Sequence, residues 1–157
     1  MLLTIDIGNT NITMGVFEGA VLHGMFRMTT KRQRTSDEYG FTICGILEHR
    51  GIDPKEIRAV IIASVVPDIM HSFTSSIIKY LDTTPVIVSA ETDTGIKVIS
   101  DNPSRTGPDR IVNAVAGYAI AKGPAVVIDF GTATTYDLIG PDSTLEACII
   151  APGVEAA

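Results

Sequence analysis

The apolar positions of the first thirty residues fall into short runs separated by turn residues. Residues 2 to 7 (LLTIDI) are apolar and β-favouring, Gly8-Asn9-Thr10 marks a turn, and ITMGVFE resumes with alternating apolar and polar positions. Glu18-Gly19 makes a second turn into AVLHGMFRM, so three short antiparallel strands open the chain. The stretch TSDEYGFTICGILEHRG predicts a helix, with Ser36 as N-cap, acidic residues in its first turn, apolar residues near helical spacing and Gly51 as its stop. Residues 57 to 66 (IRAVIIASVV) form a continuous apolar run of the kind found in a strand covered on both faces. Pro67 starts a helix through PDIMHSFTSSIIKYLD, since proline suits a first helical turn. TPVIVSA gives another strand, TDTGIKVISDNPSRTG a loop with one short strand, and PDRIVNAVAGYAIAKG a helix ending at Gly123. The order βββαβαβα predicts an α/β layer fold with a central mixed sheet.

After Gly123 the pattern begins again. AVVIDFGTATTYDLIG repeats the arrangement of LLTIDIGNTNITMGVFEG: an apolar strand, Asp, one apolar residue, Gly, then small polar residues and an alternating strand ending at Gly. Asp6 and Asp129 take the same place in the two copies. A repeat of this length predicts two similar domains facing each other across a cleft, a complete one over residues 1–123 and the first strands of a second over 124–157.

The chain has 157 residues, of which 45% are hydrophobic, enough for one good core. No apolar run approaches the roughly 20 residues of a membrane span, and no basic segment precedes an apolar one at the N-terminus. A soluble, cytoplasmic protein is expected. Cys44 and Cys148 lie far apart without metal-ligand spacing and read as small core residues. His23, His49 and His71 show no convergent spacing. Against a net charge of -6, basic residues gather in RMTTKRQR, residues 27 to 34, which reads as a solvated loop, and nucleic-acid binding has little support.

Chemistry concentrates in three places. A Gly-rich turn after a strand lets backbone N–H groups approach phosphate oxygens, and an Asp at the strand's end can hold a metal ion beside them. A single Asp-x-Gly turn reads first as a tight hairpin whose Asp accepts local backbone bonds; two copies in repeated settings favour phosphate. In TGPDRIVNAVAG, Asp109 and Arg110 fall in the first turn of a helix. Two accounts fit that spacing: Asp109 as a favourable charge at the helix N-terminus with Arg110 on the surface, or Asp109 as general base with Arg110 as an anion clamp.

Four linked motifs, DIGNTN at 6 to 11, GPDRIVNAVAGY at 107 to 118, DFGTATTYD at 129 to 137 and IAPG at 150 to 153, resemble type III pantothenate kinase, within the actin, sugar kinase and Hsp70 superfamily. The resemblance covers the chain in order and corresponds to the N-terminal part of that family. It implies a ribonuclease H-like, actin-like ATPase domain with a central mixed five-stranded sheet flanked by helices, followed by the first strands of a second such domain. It further implies that Asp6, Ile7, Gly8, Asn9, Thr10, Asn11, Ile12 and Thr13 bind ATP phosphates, with Asp6 near magnesium and Thr132 also on ATP. Gly107, Pro108, Asp109 and Arg110 would contact pantothenate, Asp109 would take the proton of its primary hydroxyl, and Asp129 would ligate potassium or ammonium. A homodimer is implied as well. Two positions depart from the family pattern: Ser100 stands where a Tyr commonly walls the pantothenate pocket, and Ala147-Cys148 where Gly-Gly commonly precedes IAPG.

Overall fold

The computed structural model describes residues 1–99 and 103–153. The chain separates into two compact units, Met1–Ile87 and Val88–Ala157.

In the first unit, β1 (Leu2–Ile7), β2 (Asn11–Glu18) and β3 (Val21–Thr29) form an antiparallel meander. Then β4 (Ala59–Ser64) and β5 (Val86–Ile87) add in parallel on the other side of β1, giving a five-stranded mixed sheet in the order β3-β2-β1-β4-β5. A central mixed sheet is what the order βββαβαβα predicts, and its five strands are what the family resemblance implies. Period-two alternation explains why an acid tolerates β1: Leu3, Ile5 and Ile7 enter the core, whereas Asp6 points from the opposite face and is exposed. The expected TPVIVSA strand shrinks to two residues, with Pro85 at its entrance lacking an N–H for the ladder.

Two helices join that core. Helix α1 (Ser36–His49) starts at Thr35 rather than Ser36: the Thr35 hydroxyl accepts from the Glu38 N–H at 3.2 Å, and Glu38 Oε2 accepts from the Thr35 N–H at 2.8 Å. That reciprocal pair is a capping box, which needs Glu three residues after the cap. Helix α2 (Pro67–Leu81) has Pro67 at its first position as predicted. Tyr39 of α1 meets Phe73 of α2 edge-on at 4.9 Å between ring centres, both fully buried, and the Tyr39 hydroxyl donates to the Lys31 carbonyl at 2.7 Å. The basic stretch before α1 lies at the surface, where Arg32 and Asp68 approach to 3.3 Å.

The second unit carries β6 (Lys97–Val98), α3 (Pro108–Ala121), β7 (Ala125–Phe130), β8 (Ala133–Ile139) and β9 (Thr144–Pro152), with a sheet order β6-β9-β8-β7. The β7-β8-β9 meander copies β1-β2-β3, as the repeat predicts. Helix α3 covers one face of this sheet, where Ala114, Ile139 and Leu145 form a small core with Val127 and Tyr118 packed against it. Gly117 lets the helix approach: a Cβ there would fall closer than 3.0 Å to side-chain carbons of Val127 and Ile139. The other face presents Val126, Ile128, Phe130, Tyr136, Leu138 and Ile149, all exposed among the described residues.

Candidate functional site

Both Asp-x-Gly segments are hairpin tips, and their local geometry is alike without being identical. In the first, Asp6 lies opposite Thr13, and the Gly8 N–H donates to the Asn11 carbonyl at 3.0 Å. Thr30, just past the end of β3, closes the tip, its hydroxyl donating to the Gly8 carbonyl at 2.7 Å and its N–H to the Thr10 carbonyl at 2.9 Å. Asn9, Thr10 and Asn11 are exposed, while Ile7 and Ile12 are fully buried in the core. The backbones of those two belong to the ladder, where they pair with each other, and the Ile7 carbonyl also accepts from the Val65 N–H at 3.0 Å.

In the second tip, Asp129 lies opposite Thr135 and the Gly131 N–H donates to the Ala133 carbonyl at 3.0 Å, one residue tighter than in the first. Asp129, Gly131 and Thr132 are exposed. The IAPG segment bears directly on this turn, since a Cβ on Gly153 would fall closer than 3.0 Å to the Gly131 and Thr132 carbonyl oxygens. The Thr135 hydroxyl is buried without a hydrogen-bond partner. Among the described residues no three His, Cys, Asp or Glu side chains converge as a metal cage. Single carboxylates with neighbouring turn oxygens instead fit hard cations that keep waters or arrive on phosphates, as magnesium does, and equally suit a loosely held monovalent ion.

The third group stands at the start of α3. Gly107 in extended conformation is the N-cap with no side-chain cap, and Pro108 takes the first helical position. The surface reading of Arg110 fails: its side chain is only 10% exposed, and its Nη1 donates to Asp137 Oδ1 at 3.1 Å, with Asp137 on β8 fully buried. Arg110 Nε stands 3.6 Å from Asp109 Oδ2, beyond hydrogen-bond reach. Asp109 is half-buried and its Oδ1 has no partner. Burial raises the Asp109 carboxyl above its ordinary value of 3.8, and nearby Asp137 pushes the same way, against the Arg110 backbone N–H and its guanidinium. A carboxylate with one unclaimed oxygen, a raised pKa and a fixed guanidinium nearby is suited to accept a proton from a bound hydroxyl.

Beside this group a groove of about 510 Å³ is lined by residues including Val98, Thr106, Glu146, Ala147 and Cys148. Cys148 is no core residue: it is exposed on β9 directly opposite Asp137, and burial of its sulfur together with a hydrogen bond to that carboxylate pushes the thiol up to about 11. Ser100 falls outside the described residues. Asp137 is the residue sequence reading missed. Its signal was there, an acid on the same face as Thr135 and Ile139 in a strand of strict alternation.

Membership follows from comparison with known proteins. The chain is 50% identical over 154 residues to the type III pantothenate kinase of Agathobacter rectalis, covering 98% of this chain and 59% of that protein. It is 44% identical over 154 residues to that of Moorella thermoacetica, covering 98% and 61%. It therefore spans about three fifths of the curated relatives it matches. Among solved structures, a ROK hexokinase from Thermus thermophilus aligns with a TM-score of 0.52 at 12% identity, over 99% of this chain and 50% of that one. A reductive activator for a corrinoid, iron-sulfur protein aligns at 0.58 and 15%, over 94% and 30%. At such identities these two speak for the fold alone, the sugar-kinase and actin-like architecture that the motif resemblance implies. With the family model for type III pantothenate kinase matching residues 2–157, the chain belongs to the type III pantothenate kinase family.

Proposed function

We propose that the chain phosphorylates pantothenate with ATP to give 4'-phosphopantothenate, the first step toward coenzyme A. The observation that carries this reading is Asp109 Oδ1, buried and unclaimed at the start of α3, in a member of this family. Gly107 to Arg110 hold the substrate, and its primary hydroxyl gives its proton to Asp109 Oδ1. The freed oxygen bonds to the γ-phosphorus as the bond to the β,γ-bridging oxygen breaks and ADP leaves. Such transfers depend on alignment and charge neutralisation more than on covalent chemistry from the protein.

In this reading residues 6 to 13 bind ATP phosphates, and Thr132 is a further ATP-binding residue. Asp6 would hold magnesium and Asp129 potassium or ammonium, cations that offset phosphate charge when bound. Ser100, standing where the family commonly has a Tyr, is counted among the substrate-binding residues in this reading, which also includes a homodimer and a cytoplasmic setting. The test is ADP release by the purified chain with pantothenate and a potassium salt. Turnover should require pantothenate, and Asp109→Asn should lower kcat by about 10²–10⁴-fold while the circular dichroism spectrum is kept. Pantothenate-independent ADP release, or an active Asp109→Asn protein, counts against it.

Coverage of about three fifths of the relatives' length favours one second reading, a nucleotide-binding relative without turnover. Calorimetric binding of ATP with no phosphorylated product would select it.

A further inference from the structure

We propose that Asp137 is a positioning residue that holds the Arg110 guanidinium off Asp109. This rests on the reading of Asp109 as base and Arg110 as clamp. The geometry is specific: Arg110 Nη1 is bonded to Asp137 Oδ1 at 3.1 Å, while its Nε stays 3.6 Å from Asp109 Oδ2. Adjacent helical residues do not face each other squarely, yet an arginine left without another partner can swing its donors toward the neighbouring carboxylate. Here the fork is turned toward β8 instead, and Asp109 Oδ1 keeps no partner.

Burying a carboxylate completely is expensive unless the pair does something a hydrophobic pair could not. Asp137 is 0% exposed, its Oδ2 lacks a conventional hydrogen bond, and only the weak thiol donor of Cys148 stands across from it on β9. The charged and titratable groups about Asp109 are therefore Arg110 from its own helix, Asp137 from β8 and Cys148 from β9. Anchoring by Asp137 serves two ends. It keeps a base oxygen open for the hydroxyl, and it fixes the guanidinium at one angle, so that an anionic substrate meets a rigid rather than a mobile cation.

Three measurements test this. In the unmutated chain, ¹⁵N NMR should resolve Arg110 Nη1 and Nη2 as separate signals; one averaged signal means a rotating guanidinium and overturns the proposal, whether or not any variant folds. In Asp137→Asn, Asp109 should titrate lower than in the unmutated chain, and by more than the same substitution lowers it in an Arg110→Gln background, because loss of the Asp137 charge acts in both and release of the guanidinium only in the first; equal drops, or an unchanged or higher midpoint, overturn the proposal. In kinetics, Asp137→Asn should lower kcat/KM for pantothenate by about tenfold to a hundredfold with Arg110 present, and by less than about twofold in an Arg110→Gln background. Equal losses in both backgrounds would show a merely structural acid. If the chain does not turn over pantothenate at all, the kinase reading fails, and the two NMR measurements decide the role of Asp137 alone.

Discussion

Two glycines five residues apart in one helix should respond oppositely to the same substitution. Gly40 and Gly45 both lie within α1, so replacing either by alanine gains the same intrinsic helix propensity, about 1 kcal/mol. Their surroundings differ. A Cβ on Gly45 meets nothing within 4 Å, whereas one on Gly40 falls closer than 3.0 Å to three ring carbons of Tyr80 on α2. The ring has little room to yield, since its hydroxyl donates to Asp37 Oδ1 at 2.7 Å and its face packs near Phe41 at 5.4 Å. The propensity term cancels between the variants, leaving the overpacking of Tyr80, about 1–3 kcal/mol, as their difference. Gly45→Ala is expected to be more stable than the unmutated chain by about 0.5–1 kcal/mol, and Gly40→Ala less stable by up to about 2 kcal/mol. Urea denaturation followed by circular dichroism measures both. A Gly40→Ala protein as stable as Gly45→Ala would refute the reasoning, because it would mean that α1 and α2 do not pack through Gly40.

Titration of Asp109 gives a prediction whose sign runs against the usual carboxylate. Its folded-state value is raised above 3.8, so its favourable contribution is complete below the unfolded value and is lost as pH rises through the folded one. Asp109→Asn should therefore be more stable than the unmutated chain at pH 7, with the gap closing as the pH falls toward 4; a gap that widens in acid would contradict the raised value. The same titration sets the acid limb of kcat/KM, which should fall as Asp109 protonates above its ordinary value. The apolar outer face of the second sheet supports the homodimer in the proposed reading, and light scattering should report twice the monomer mass, a monodisperse monomer being the contrary result.

Much of the fold could be read from the periodicity. The apolar run of residues 2 to 7 and its repeat after Gly123 placed the two Asp-x-Gly tips at corresponding strand ends, while the inward set Leu3, Ile5 and Ile7 emerges only in the structure, where one face of β1 is buried. Pro67 and Pro108 announced their helices for the plain reason that proline sacrifices no hydrogen bond at a first helical position. The cap of α1 was misplaced by one residue since Thr35 and Ser36 are both competent, and only the distance to Glu38 decides between them. Arg110 and Cys148 were misjudged for a different reason. Whether the arginine is buried depends on a partner on another strand, and whether Cys148 is exposed depends on what covers β9, neither of which local spacing encodes.

The two hairpin tips are alike in pattern but unequal in length. Asp6 reaches its opposite Thr13 over a longer turn than Asp129 reaches Thr135, so the second tip has one fewer residue with which to wrap an anion. The two are thus not interchangeable parts: grafting the first tip onto the second would add a residue beside Gly153, where a Cβ would already fall closer than 3.0 Å to the carbonyl oxygens of Gly131 and Thr132.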